Sequence, residues 1–271
     1  MLKTIWLGIA FIVLLVFLAS VAPLLTPADP FQVDMKERLQ GISWQHPMGT
    51  DQLGRDLLSR VIYATRTSIT ASFSVVLACL AIGTVVGAVA GYYGGIIDEL
   101  LMRLVDVVMA FPSFILPIAI TGILGPSLAN IILALILTSW VGYARMVRSS
   151  VLVLKNLPYV EAARAMGFST WEIMKDHILP NAVHPVIVYT TFKAGHTILA
   201  ICGLSFIGLG AQPPTPEWGS MLNEASSFMG SVPHLFIFPG LMIMITVLGF
   251  NLFGDGLRDF MDPRLRKEFE L

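Results

Sequence analysis

Few residues in this chain are of types that do chemistry, and their spacing limits what they can do. Asp51 and Asp56 flank Arg55 in one short stretch, the nearest approach to a pair of carboxylates for acid–base work. Placed just ahead of a helical pattern, they read better as capping and orienting charges for that helix. Lys193 and His196 are three residues apart, hence on one helical face, inside a long apolar run. Ionisable groups in such a run are costly and mark function. Two roles stand level: lining a solute pathway, or assembly, with Lys193 paired to a carboxylate on another chain and His196 donating to a backbone carbonyl. A metal centre is not expected, because Cys79 and Cys202 are far apart without CxxC spacing and His46, His177, His184 and His234 are scattered relative to His196. The two cysteines fit small buried hydrophobes. Neither HExxH nor GxSxG occurs, so catalysis is not expected, and the absence of a GxxxxGK[ST] phosphate loop means that ATP, if it drives this chain, is bound by another.

The elements that hold these residues are membrane spans. Of the 271 residues 55% are hydrophobic and 13% charged, with mean hydropathy +0.77, against about 25% charged in soluble domains. A net charge of -1 leaves no basic surplus for nucleic acid. Runs long enough to cross a bilayer predict six helices: Ile5 to Leu25, Ser68 to Tyr93, Leu104 to Leu124, Leu128 to Tyr143, Ala182 to Gly210 and Leu235 to Phe253. The expected fold is all-α and integral to the membrane. Lys3 followed by an apolar run ending in Ala19, Ser20, Val21 and Ala22 also suits a signal peptide, but the run is longer than the roughly 7–15 residues of a signal core.

Basic residues set the expected orientation. Arg145, Arg148, Lys155, Arg164 and Lys175 lie between runs four and five, and Arg258, Arg264, Arg266 and Lys267 follow run six. Those segments are expected on the cytoplasmic side, with both termini inside. The long loop from Thr26 to Thr67 then lies outside. It carries Lys36, Arg38, Arg55, Arg60 and Arg66, offset by Asp29, Asp34, Glu37, Asp51 and Asp56. Leu57, Leu58, Val61 and Ile62 interleave with those arginines, which predicts an amphipathic helix along the membrane surface leading into run two. Gly83, Gly87 and Gly91 share one face of run two and predict close helix packing; Arg103 and Asp106 predict an ion pair. The expected units are 1–67, a membrane core 68–257 and a tail 258–271.

The longest inside loop, from about Met146 to Asn181, carries the strongest signal. Glu161-Ala162-Ala163, Gly167 four residues on, and Leu179-Pro180 resemble the EAA loop of ATP-driven (ABC-type) importer permeases, with His177 where that family usually has an apolar residue. Helix formers at 161–165 predict a short helix that Gly167 ends in a left-handed turn. Further stretches are similar to the peptide/nickel branch of these permeases: Gly49-Thr50-Asp51-Gln52-Leu53-Gly54-Arg55-Asp56 before run two, Leu204 to Gly210, Pro213 to Gly219, and Gly254 to Asp259 with Asp262-Pro263-Arg264.

That resemblance implies the type I importer permease fold and a coupling role for Glu161, Ala162, Ala163, Gly167, Leu179 and Pro180. It also implies four kinds of partner: membrane lipid, a second permease chain, two ATPase subunits that use ATP and Mg, and an extracytoplasmic solute-binding protein. Alternating access is the implied mechanism, with no cofactor bound by this chain. Gly195-His196 and the short leader look like nickel-type members and favour nickel or a metal chelate as cargo, while Gly210 to Pro214 suits dipeptide-type members. A secondary transporter would instead show broken helices or buried acidic relays, and none stands out in the sequence.

Overall fold

The structure is a computed structural model describing residues 2–261, apart from the side chains of 2–4, 183 and 184. The side chain of His184, Asp262-Pro263-Arg264 and the basic residues Arg266 and Lys267 therefore lie outside the described residues. In chain order the helices are α1 (Leu2–Leu25), α2 (Leu57–Tyr93), α3 (Gly95–Met109), α4 (Ile115–Leu124), α5 (Leu128–Leu154), α6 (Pro158–Ala165), α7 (Thr170–Glu172), α8 (Leu179–Phe206), α9 (Trp218–Ala225) and α10 (His234–Met261). A π-helical turn at Ile173–Ile178 joins α7 to α8. Among the described residues five helices are long and apolar enough to cross a membrane: α1, α2, α5, α8 and α10.

The six expected runs therefore map onto five long helices and one broken pair. Run three is split into α3 and α4 across Ala110–Phe114. Pro112 offers no amide donor and disfavours a helical residue before it, and the chain resumes with Ile115 N–H donating to the Pro112 carbonyl at 3.0 Å. Hydropathy alone cannot register such a break, since both halves are apolar. The amphipathic surface helix is also corrected: Leu57–Thr67 is the first part of α2, a single 37-residue helix, and Arg60, Val61 and Ala64 are buried. Run six continues beyond Phe253 to Met261 as one helix.

Glycines set how the long helices meet. At Gly83 an added Cβ would strike Tyr143, at Gly87 the Ala144 carbonyl, and at Gly91 the Val151 side chain at 2.9 Å. The ascending order of both sets of partners makes α2 and α5 parallel, their backbones in direct contact as the expected glycine face requires. On the far side α1 and α10 run antiparallel: Gly8 lies under Phe253, Gly249 under Phe11 and Gly256 against Ile5. The first apolar run, with Leu15, Ala19 and Ala22 buried, is thus an integral helix of the bundle. Gly254 packs on Thr191 and Phe192 of α8, giving the Gly254 to Asp259 motif a packing role.

Two hydrophobic cores result, one centred on α2, α5 and α8 and the other on α1, α2, α8, α9 and α10. Cys79 and Cys202 are buried free thiols within them. The expected Arg103–Asp106 pair is not formed. Arg103 bonds Glu99 one turn back at 2.6 Å, and Asp106 pairs with Arg145 of α5. In a lipid solvent helices associate through close packing instead of hydrophobic drive. Gly87→Leu should therefore cost about 1–3 kcal/mol by overpacking and lower the thermal unfolding midpoint in detergent. Gly122→Ala, facing open space, should leave it in place; equal midpoints for the two would refute the close-contact reading.

Candidate translocation and coupling site

Three clusters of sequence-predicted residues occupy separate parts of the bundle. Lys193 and His196 of α8 share a face with Tyr189 and Thr197, and this face borders a cavity of about 330 Å³. The opposite wall comes from Ser139 and Tyr143 of α5. Phe111 to Phe114, the break between α3 and α4, closes part of the rim, as irregular backbone does where it lines a cavity. The volume is at the low end of the roughly 300–1,000 Å³ of small-molecule sites. Tyr189 and Tyr143 meet edge to face, centroids 5.0 Å apart, and the Tyr189 hydroxyl occupies the space a side chain at position 142 would need, which explains glycine there. Lys193 Nζ lies 5.4 Å from the centre of the Tyr189 ring, within cation–π range. Tyr189, Lys193 and His196 also border a second hollow of about 290 Å³ against Val247 and Asn251 of α10.

The segment carrying the EAA-type residues projects from the end of α5. Pro158 opens α6, where its missing donor costs nothing. The helix stops as expected: Gly167 has φ +86°, its N–H donates to the Arg164 carbonyl at 3.1 Å, and Phe168 N–H donates to the Ala163 carbonyl at 3.2 Å. That is a Schellman ending, which needs a left-handed residue. Ala163 and Val160 face the core with Ile173 and Ile178, while Glu161, Ala162 and Gly167 are exposed beside the exposed side chains of Met166 and Trp171. His177, the departure from the family pattern, packs between the rings of Tyr159 and Phe168 at 6.4 and 5.8 Å. Ser169 and Glu172 form a reciprocal capping box, and two 2.7 Å hydrogen bonds from Ser169 hold the Glu172 carboxyl below its ordinary range. Leu179 and Pro180 start α8, so this segment and the cavity-lining helix are continuous.

Lys155 and Arg148 fix the segment's root. Lys155 Nζ donates to the Gly91 carbonyl at 2.7 Å, completing the end of α2. Arg148 grips Asp98 of α3 with both arms of its guanidinium, the second bond at 2.6 Å. That contact holds the Asp98 carboxyl below its usual range.

The motif Gly49-Thr50-Asp51-Gln52-Leu53-Gly54-Arg55-Asp56 forms a knot at the other end of α2. Gly54, at φ +72°, lies directly under the Asp34 carbonyl, where a side chain could not fit. Asp51 accepts Leu53 and Arg55 N–H at 2.8 and 3.0 Å and the Arg55 guanidinium at 2.6 Å. Arg60 reaches Asp51 at 3.3 Å. Glu224 of α9 receives Arg55 at 2.7 Å, Gln52 at 2.9 Å and Arg60 at 3.4 Å. Two arginines and two carboxylates thus neutralise one another under cover, with Arg55 2% and Arg60 1% exposed. Asp56 caps α2 as expected, accepting Ser59 N–H at 2.8 Å. Thr50 bonds the Glu37 carbonyl, and Gly49 lies against His234.

Sequence reasoning did not single out Glu217, Glu224 or Tyr189. Glu217 is fully buried and caps α9 by accepting Gly219 and Ser220 N–H at 3.0 and 2.9 Å. It also accepts from Ser68 of α2 at 3.3 Å. Its place before Trp218 in the Pro213 to Gly219 motif was the available signal; nothing local marks Glu224 as the partner of Arg55.

His46 ties the loop before α2 to this knot, Nδ1 2.9 Å from Asp56 and Nε2 3.1 Å from Glu37. The Asp56 hydrogen bond, helped by the charges of Glu37 and Asp56, raises the imidazole above its ordinary 6.5. The clasp therefore stabilises fully below pH 6.5 and is lost as pH climbs through the raised folded-state value. The unfolding midpoint should fall as pH is raised above 6.5, and His46→Gln should flatten that slope; a mutant slope as steep as the parent's would exclude the clasp.

The chain matches the family model described as "Binding-protein-dependent transport system inner membrane component" over residues 83–267. It is 47% identical over 257 residues to the glutathione transport system permease protein GsiD of Pectobacterium atrosepticum, covering 94% of this chain and 85% of that one. It is 44% identical over 259 residues to the dipeptide transport system permease protein DppC of Alkalihalophilus pseudofirmus, covering 96% and 85%. In fold it is similar to a chain of the MetNI methionine ABC transporter in inward-facing conformations, with TM-score 0.60, 18% identity and coverage of 76% and 98%. It also resembles a chain of an amino acid ABC transporter solved with histidines, with TM-score 0.58, 16% identity and coverage of 78% and 94%. The family match spans well over half of the chain, and these permeases are non-catalytic multi-pass subunits. The chain belongs to the binding-protein-dependent transport system inner membrane components, the permease subunits of ABC importers.

Proposed function

We propose that this chain forms half of the pathway of an importer for short peptides, of dipeptide to glutathione size. The observation that carries the cargo is the 47% and 44% identity, over nearly the whole chain, to permeases named for glutathione and dipeptide transport. The expectation of nickel, drawn from Gly195-His196, gains no support: relatives named for peptides stand against it, and among the described residues no three His, Cys, Asp or Glu side chains converge to hold a metal.

Permeases of this family work with a second permease, ATPase subunits and a solute-binding protein. In this reading the Pro158 to Pro180 segment is cytoplasmic and seats in the ATPase, the 26–56 loop is outside, and both termini are inside. The basic residues Arg145, Arg148, Lys155, Arg164 and Lys175 support that orientation. The cavity between α2, α5 and α8 is the half-pathway, which the second permease completes, and alternating access follows as the ATPases draw the paired coupling helices together and release them. The break at Ala110–Phe114 is the feature that a lone secondary transporter would share, but the family assignment places the power source in partner chains.

The coupling role is tested by Glu161→Arg and Gly167→Val, both at exposed positions. Each should release the ATPase subunits on purification and cut ATP-driven uptake by about tenfold or more, since a reversed charge or a lost turn at a docking centre costs at least about 1.4 kcal/mol. Retained ATPases and normal uptake would remove the segment from the coupling path.

A further inference from the structure

We propose that Lys193 is the group that receives a carboxylate of the cargo inside the pathway, making the cavity selective for anionic or zwitterionic solutes. This rests on the peptide-importer reading above and adds the chemical group that is read and the residue that reads it.

Lys193 differs from the other enclosed cations of the bundle. Arg55, Arg60 and Arg148 each hold a carboxylate of the same chain. Lys193 lies midway along α8, and among the described residues its ammonium has no hydrogen bond or ion pair, only the face of Tyr189 at 5.4 Å. A lysine there has no short route to either membrane interface for its stem, and an uncompensated charge in an apolar span is expensive. Lys193 borders both hollows, and neither wall contains an aspartate or glutamate. Each hollow therefore has a net positive lining.

The rest of the cavity suits a carboxylate. Ser139 and Thr197 contribute hydroxyl-bearing side chains to its lining. The Lys193 ammonium thus borders this cavity with no carboxylate of its own chain on the described wall. Every free peptide carries a terminal carboxylate, and glutathione carries two. A lysine is a point charge on a flexible stem. The flexible, single-point contact fits a pathway that must let its cargo go. Tyr189 holds the ammonium between visits. The same positive lining opposes a bare divalent cation.

The test uses the complete importer, with its second permease, ATPases and binding protein, reconstituted in liposomes with internal ATP. The probes are labelled glutathione, trialanine and trilysine, each supplied with saturating binding protein. Lys193→Gln should slow glutathione uptake by about tenfold, while Lys193→Arg stays within about twofold, because hydrogen bonds to charged groups are the strong ones. Lys193→Glu should turn the preference toward trilysine over glutathione. Subunit stoichiometry should remain unchanged in all three variants. Normal uptake by Lys193→Gln overturns the inference and leaves the peptide reading standing. Loss of the second permease from Lys193→Gln also overturns it, by showing that the ammonium serves an ion pair between the two chains. Absence of peptide uptake by the unsubstituted importer removes the peptide reading and this inference with it.

Discussion

The direct backbone contact between α2 and α5 governs where everything else can sit. Helices in lipid gain little from excluding water, so close approach has to come from small residues, and Gly83, Gly87 and Gly91 supply it along three successive turns. Because the two helices are parallel, the seam fixes the middle and the C-terminal end of α5 at once. Midway along it Ser139 and Tyr143 are brought to the cavity wall. At the C-terminal end Lys155 closes the last carbonyls of α2, and Arg148 draws in α3 through Asp98. The segment that follows Lys155 thus leaves the bundle from a fixed root.

At the opposite end of α2 the organising force is electrostatic. Burying two arginines would be prohibitive without compensation, and breaking such a set by removing one member costs about 3–5 kcal/mol. Here Asp51 and Glu224 provide both charge balance and geometry, and the knot joins the loop before α2 and the start of α2 to α9, which is remote in sequence. Glu217 reinforces the same corner by capping α9 while bonding Ser68 of α2.

What was legible in the sequence follows from the range of each interaction. Local rules succeeded where the cause is local: the Asp56 cap, the Gly167 turn, the glycine face of α2. The family-specific stretches were legible because they are contiguous, and they gave the fold and the family. Arg55 and Arg60 at helical spacing among leucines imitate a surface helix, and only Glu224, far along the chain, converts them into a buried knot. Arg103 and Asp106 have the right spacing to pair, but each has a better partner, Glu99 one turn back and Arg145 across the helix interface. The break in run three was hidden by hydropathy, although Pro112 stood at its centre. Lys193 and His196 were visible as a pair, whereas Tyr189, a further turn along the same face, carries no charge to mark it in an apolar run.

The connection between the coupling segment and the cavity is one continuous stretch of helix, and its irregularities are informative. From Leu179 to Lys193 the chain climbs about 21 Å at 1.5 Å per residue, so α8 is itself the link between the two sites. Three features interrupt its regularity below Lys193: the π turn at Ile173–Ile178, Pro180 at its start and Pro185 within it. Each weakens or removes an amide-to-carbonyl bond of the ladder, while Tyr189 and beyond have the full pattern and pack on α5 and α10. A push on α6 reaches this helix through Ile173 and Ile178, which share a core cluster with Val160 and Ala163. Bending is cheapest in the irregular turns, so on the proposed function the upper part of α8, with Tyr189, Lys193 and His196, would move as a unit about its lower end. That arrangement would turn a displacement at the segment into a change in the width of the cavity, without requiring the glycine seam or the ionic knot to yield.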